Sequence, residues 1–186
     1  MMTTRLTADV HTSQLVLVDL QTKLAAVMVH DAMQAVIKNS GILLQAAKLL
    51  DIPILFTEQY PKGLGHTISE LLAHSDANIV IEKTAFSCMG EPKFKAKLNR
   101  DKPQIVLAGM EGHICLLQTA LDLVANNHRV FVAEDAIISR NPANKANAIV
   151  RLREAGCIIT NTESICFEWL GKAEGEAFKA ISKLIR

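Results

Sequence analysis

Two hydrophobic periods alternate along this chain. Short continuous apolar runs recur, and between them apolar residues return every three or four positions. Leu15-Val16-Leu17-Val18 is the first run and ends in Asp19. It reads as a buried strand with a carboxylate at its carboxyl end. Helical spacing then holds from about Asp31 to Leu50, through Met33, Val36, Ile37, Leu43, Leu44 and Ala47. Asp51-Ile52-Pro53 closes that helix and launches a second strand, Ile54–Thr57. A loop over residues 58–67 (EQYPKGLGHT) precedes a short helix from Ser69 to His74, and Asn78–Ile81 is a third strand ending in Glu82-Lys83. A looser segment fills residues 84–99. Ile105–Ala108 is a fourth strand, broken by Gly109-Met110-Glu111-Gly112 before apolar residues return at Ile114, Leu117, Leu121 and Val124. Arg129–Ala133 is a fifth, ending in Glu134-Asp135. Asn141-Pro142 opens a helix through Ala155, with proline in the first turn, and Gly156 stops it. Cys157–Thr160 is a sixth strand, and Glu174–Arg186 a last amphipathic helix. Strands and helices alternate without repeat or linker, which predicts one doubly wound α/β domain over residues 1–186.

Composition sharpens this picture. Hydrophobic residues make up 49% of the chain but aromatics only 4%, so Leu, Ile, Val and Ala must build the core. That bias suits a parallel sheet covered by helices on both faces. Twenty Lys and Arg against 19 Asp and Glu leave a net charge of +1, with no basic excess to recruit nucleic acid or an anionic membrane. The opening MMTTRLTADVHTSQ lacks the apolar core of a signal peptide, and no apolar run is long enough to span a bilayer. Cysteines 88, 115, 157 and 166 show no C-x-x-C pairing and read as reduced thiols in a cytoplasmic protein.

In open parallel sheets, ligands bind beyond the carboxyl ends of the strands. Asp19, Glu58, Lys83 and Cys115 each fall at or just past such an end. Cys115 also sits on the first turn after a strand, where free backbone N–H groups and the helix dipole favour a thiolate and hold a developing oxyanion. An ammonium beside a thiol lowers its pKa, and a carboxylate accepts and returns a proton. Each residue has a plainer reading. Asp19 caps a turn, Lys83 is a solvated loop charge, and Cys115 is a small core residue.

Three segments resemble the motifs of the isochorismatase-like cysteine hydrolases: VLVDLQ (16–21), IEKTAFS (81–87) and LAGMEGHICLLQTALDL (107–123). TEQYPKGLGHT (57–67) and the tail TNTESICFEWLGKAEGEAFKAISKLI (160–185) are similar to the isochorismatase-domain-containing branch. The resemblance implies a six-stranded parallel sheet in the order 3-2-1-4-5-6. It also implies a catalytic triad of Asp19, Lys83 and Cys115, with a cis peptide between Met110 and Glu111. That bond would aim the backbone N–H groups of Glu111 and Cys115 at one oxyanion. Gly112 departs from the pattern, standing where the family commonly has threonine. Nicotinamidase-type relatives carry an Asp-x-His metal cluster after the second strand. Here Glu58-Gln59-Tyr60 stands in that place, with no histidine until His66, which implies neither metal nor other cofactor. Isochorismate-cleaving relatives can dispense with the cysteine, so the presence of Cys115 favours acyl chemistry.

Other candidates are weaker. Gly63-Leu64-Gly65 lacks the G-x-G-x-x-G spacing and reads as a turn. Glu58, Tyr60, Phe86 and His113 are candidates for the pocket wall, while Phe86, Tyr60 and Trp169 suit core packing equally well. Cys88, Cys157 and Cys166 have no charged constellation in the sequence and read as packing residues. The sequence therefore points to a hydrolase of a small amide or related acyl substrate, working through a thioacyl-enzyme intermediate. The rival is a non-catalytic small-molecule-binding or scaffold protein that keeps the fold and its pocket. Composition and resemblance together suggest a homo-oligomer.

Overall fold

The computed structural model describes residues 6–75 and 79–186. The first five residues of the chain and Asn78, read above as opening the third strand, lie outside the described residues. Six parallel strands form one sheet in the order β3-β2-β1-β4-β5-β6. The first half of the chain supplies β1 (Ser13–Val18), α1 (Thr22–Ala25), α2 (His30–Leu49), β2 (Ile54–Gln59), α3 (Pro61–Leu64), α4 (Ser69–Leu72) and β3 (Val80–Lys83). The second supplies α5 (Pro92–Lys97), β4 (Gln104–Gly109), α6 (Leu117–Ala125), β5 (Arg129–Ile137), α7 (Pro142–Glu154), β6 (Ile158–Thr160), α8 (Thr162–Leu170) and α9 (Gly175–Ile185).

The continuous apolar runs became the strands buried on both faces. Every residue of β1 and β4 is buried, and these two strands lie side by side at the centre. Leu15 and Leu17 point to one face, where Leu43 and Leu44 of α2, Ile165 and Trp169 of α8 and Ile181 of α9 cover them. Val16 and Val18 point to the other, under Phe94 of α5, Leu117, Ala120 and Leu123 of α6 and Ile149 and Leu152 of α7. Successive crossovers run outward from β1 through β2 to β3 and from β4 through β5 to β6. The cleft between the carboxyl ends of β1 and β4 is thus the topological switch point, where this class of sheet binds ligands.

Three elements differ from the sequence reading. The loop after β2 contains the short helix α3, started by Pro61, so Gly63 and Leu64 are helical and Gly65, at φ 78°, ends it. Helix α8 was hidden in the tail, although its signals are local. The Asn161 side chain accepts from Ser164 N at 2.8 Å, and Gly171 closes the helix in the left-handed region. Strand β5 continues past Glu134-Asp135 to Ile137, because the Asp135 carboxylate is satisfied by Thr162, through its N–H at 2.8 Å and its hydroxyl at 2.9 Å. The register against β4 slips there, between Leu107 and Gly109. That slip brings Ile138 N to 3.2 Å from Gly109 O and Ile138 O to 2.8 Å from Gly112 N, so the end of β5 braces the turn after β4.

Gly109 is a residue that backbone geometry demands. Its φ is 132°, and a Cβ there would run into Val18 O and stand 2.7 Å from Val18 N. Neither is a side chain that can swing away. Gly109→Ala should destabilise the protein by at least ~3 kcal/mol, the scale of backbone strain added to a steric clash. Urea unfolding checks this, and a loss under ~1 kcal/mol would mean that β1 and β4 can part without penalty.

Candidate active site

The site assembles where β1, β2, β3 and β4 end. Strict alternation would send Asp19 to the face of Leu15 and Leu17. Its φ of 51° breaks the alternation, a left-handed conformation that Asp tolerates better than most residues. The turned side chain is fully buried. Thr57 Oγ1 donates to its Oδ1 at 2.7 Å, and Lys83 Nζ lies 2.7 Å from its Oδ2.

Lys83 stands on the edge strand, two strands from Asp19. Neighbouring strands lie ~4.8 Å apart, so only a long side chain crosses β2 to reach β1. Register aims it, since Lys83 pairs with Gln59 and both share a face with Thr57. The ammonium donates to Gln59 Oε1 at 2.6 Å, Phe86 O at 3.0 Å and Ala85 O at 3.2 Å. With Asp19 Oδ2 these make four acceptors around three N–H groups. Asp19 Oδ2 meets the Lys83 ammonium at 2.7 Å as a charge-assisted contact, and the Cys115 thiol bonds the same carboxylate. Burial alone would push the Lys83 pKa down, but Asp19, foremost among its anionic neighbours, outweighs it and the net direction is up.

Cys115 lies in a π-helical turn, Gly112–Leu116, that leads from β4 into α6. Its sulfur is 3.9 Å from Gln59 Oε1. Burial pushes the thiol up to about 12, helped by the Asp19 charge and an acceptor contact with that carboxylate, while Lys83 pulls the other way and loses. The sequence reading expected a depressed thiol pKa. That expectation is corrected, because a buried sulfur facing a carboxylate pays more in desolvation than one ammonium returns. The resting residue is a thiol.

Cys88 is a second correction. Far from being remote packing, it is fully buried beside the same charges, with its sulfur 3.7 Å from Thr57 Oγ1. Burial first, then Asp19, raises its pKa to about 11. The sequence held one clue, its place five residues after Lys83 in a segment that had to return towards the strand ends.

The pocket-wall candidates divide. Glu58 alternates with Thr57 and Gln59 and so points to the other face of β2. One oxygen accepts from Thr67 N at 2.6 Å and Thr67 Oγ1 at 2.8 Å, and the other meets His66 Nδ1 at 3.0 Å. It pins the loop after α3 and does not line the site. Its His66 partner, distant in sequence, is adjacent in space, yet among the described residues no three His, Cys, Asp or Glu side chains group as a metal site. Tyr60 and Phe86 are each 55% exposed, near the outer ends of β2 and β3. Trp169 is core, donating Nε1–H to Ser13 Oγ at 3.0 Å.

The Met110–Glu111 peptide bond is cis. Glu111 is buried, its carboxylate held by the Arg140 guanidinium, and His113 Nδ1 lies 3.0 Å from Ser139 Oγ. Gly112 leaves room that a Cβ would fill to 3.2 Å from Ser139 Oγ.

This arrangement sits in a fold that recurs among known proteins. The isochorismatase domain model matches residues 13–164. The chain belongs to the isochorismatase family. Isochorismatase family protein 1B of Dictyostelium discoideum is 38% identical over 175 residues, covering 91% of this chain and 84% of that one. A Caenorhabditis elegans structure described as MAR1 ribonuclease superposes with a TM-score of 0.90 at 34% identity, covering 96% of this chain and 92% of its own. The Escherichia coli YcaC gene product, described as an octameric hydrolase of unknown specificity, shares the fold at TM-score 0.89 and 21% identity, covering 98% and 91%. Within this isochorismatase-family sheet, among the described residues, no helix is long and apolar enough to cross a membrane.

The ion pair makes a stability prediction. Lys83→Ala leaves Asp19 buried without its counter-charge and should cost about 3–5 kcal/mol. The sign with pH follows from the raised ammonium pKa. The pair stabilises fully at neutral pH, and its contribution fades as pH climbs past the usual lysine value of 10.5. Thermal unfolding from pH 7 to 11 should show the wild type falling towards the variant at the alkaline end. Parallel curves throughout would remove the pair from the stability of the fold.

Proposed function

We propose that this chain is a cysteine-dependent hydrolase of a small amide or related acyl substrate. The observation that carries the reading is the buried Asp19 carboxylate, which meets the Lys83 ammonium at 2.7 Å and bonds the Cys115 thiol. A proton from the Cys115 thiol has a destination there. As the sulfur attacks the carbonyl carbon, the proton moves to Asp19, and the Lys83 charge stabilises the forming anion. The backbone N–H groups of Glu111 and Cys115 receive the carbonyl oxygen. Asp19 then gives its proton to the leaving nitrogen as the C–N bond breaks. Water attacks the resulting thioester, Asp19 takes its proton, and the thiol is restored as the acid leaves. No metal or other cofactor enters this cycle. A thiol with a pKa near 12 fits the scheme, since deprotonation coupled to attack does not need a standing thiolate.

The rival remains a binding or scaffold protein that retains the site. A phosphodiester substrate, suggested by the description of the C. elegans relative, finds little support in a net charge of +1. A panel of small amides, read by ammonia or amine release, with an RNA arm alongside, separates these readings. Cys115→Ala and Asp19→Asn should each lower turnover of the active amide at least ~10³-fold while the fold persists, as loss of a nucleophile or its base does. RNA cleavage that survives Cys115→Ala would overturn the acyl reading. Silence across the whole panel would favour the scaffold.

Assembly belongs to the same reading. Val27 and Val29 are more than half exposed, and Val29 borders an apolar cavity of about 410 Å³ between α2 and the β5–α7 segment. A homo-oligomer would cover them. Light scattering at micromolar concentration should give a multiple of the 20.3 kDa chain mass, and a monomer would refute this.

A further inference from the structure

Asp19 has two oxygens and only one of them meets Lys83. The other is held by Thr57, the first residue of the 57–67 segment, to which the sequence reading gave no role. Thr57 Oγ1 is 2.7 Å from Asp19 Oδ1, and a carboxylate only accepts, so the hydroxyl proton lies on that bond. The lone pairs of the same oxygen face the Cys88 thiol at 3.7 Å. Cys88 is itself fixed, because its backbone N–H donates to Thr119 Oγ1 at 2.9 Å. All of these groups are at most 1% exposed, so no bulk water competes for the hydroxyl. A chain of donors runs from Cys88 through Thr57 to Asp19, and each link has a single direction. Hydrogen bonds in such a chain polarise one another and strengthen where the dielectric is low.

We propose that Thr57 is a positioning residue that sets the proton affinity of Asp19, and through it the balance between Cys115 thiol and thiolate. This rests on the acyl-transfer reading for its use but not for its test. A donor to Oδ1 stabilises the carboxylate and makes it a weaker base. Without that donor, Asp19 would draw the Cys115 proton more strongly and hold it too tightly to release it to a leaving group. Thr57 therefore trades ease of attack against ease of expulsion.

The test reads the thiol directly. Iodoacetamide labelling of Cys115, followed by mass spectrometry from pH 6 to 9, is compared in wild type, Thr57→Val, Thr57→Ser and both Thr57→Val and wild-type Thr57 in an Asp19→Asn background. Valine keeps the volume and removes the donor. The expected result is a plateau rate about tenfold faster in Thr57→Val, in line with losing one hydrogen bond to a charged group. Thr57→Ser should return to within about twofold of wild type, since its hydroxyl restores the bond. In the Asp19→Asn background the valine change should have no effect. A merely structural Thr57 would instead slow labelling or leave it unchanged, and either outcome overturns the proposal, as does an acceleration that persists without Asp19. Should Cys115 prove dispensable for turnover, the acyl-transfer reading fails while these rates still decide the role of Thr57.

Discussion

The buried pair of Asp19 and Lys83 is the constraint around which this structure closes. Two opposite charges, both with side chains sealed from solvent, are held 2.7 Å apart across two strand spacings. Desolvating such a pair costs several kcal/mol per ion, and an apolar pair of equal volume often serves stability as well or better. The surroundings accordingly supply compensation on both sides. Thr57 serves one oxygen of Asp19, while Gln59 and two backbone carbonyls serve the ammonium. Register, the left-handed turn at Asp19 and the return of the chain at residues 85–86 all exist at positions this pair requires. A protein selected only for stability has no need of it.

The pair also explains the thiol. A cysteine activated as a standing thiolate needs surplus positive charge, and here the Lys83 ammonium is already balanced by a carboxylate. Cys115 consequently rests protonated, with its pKa pushed up to about 12 by burial and by Asp19. On the proposed reading, Asp19 accepts the thiol proton and Lys83 steadies the sulfur once the proton has moved. On that reading, proton transfer from thiol to carboxylate leaves the total charge of the three groups unchanged. That constancy lets it work in a dry pocket, where creating a net charge is costly.

Much of this was legible in the sequence, and the limits have physical causes. The continuous apolar runs at 15–18 and 105–108 mark strands buried on both faces, because a sheet covered by helices leaves no polar side to alternate with. Asp19, Lys83 and Cys115 were visible as unlike groups at strand ends, and spaced motifs tied them together. Thr57 and Cys88 were not, because each is a common core residue whose role depends on a neighbour from another strand. The direction of the Cys115 shift was missed because sequence reveals which charges are near but not how deeply the sulfur is buried. Helix α8 was overlooked although Asn161 and Gly171 bracket it, since a sequence rich in β-branched and aromatic residues carries little helical propensity of its own. Its helicity comes from packing Ile165 and Trp169 on the sheet.

The choice of lysine on β3 follows from the same geometry. An arginine reaching Asp19 would present a planar fork and bind both carboxylate oxygens at once. A fork on both oxygens would displace Thr57 from Oδ1. A lysine ammonium is a compact charge whose three donors are shared among Gln59, Ala85, Phe86 and one Asp19 oxygen. Here it lies 2.7 Å from one Asp19 oxygen and leaves the other to Thr57. Gln59 is what makes this arrangement coherent, since its side-chain oxygen accepts from Lys83 and also stands 3.9 Å from the Cys115 sulfur. The resting thiol thus has an acceptor at Gln59 as well as a base at Asp19. On the proposed reading attack requires the proton to favour Asp19, so a substrate that engages the Gln59 side chain would bear on when the sulfur becomes reactive.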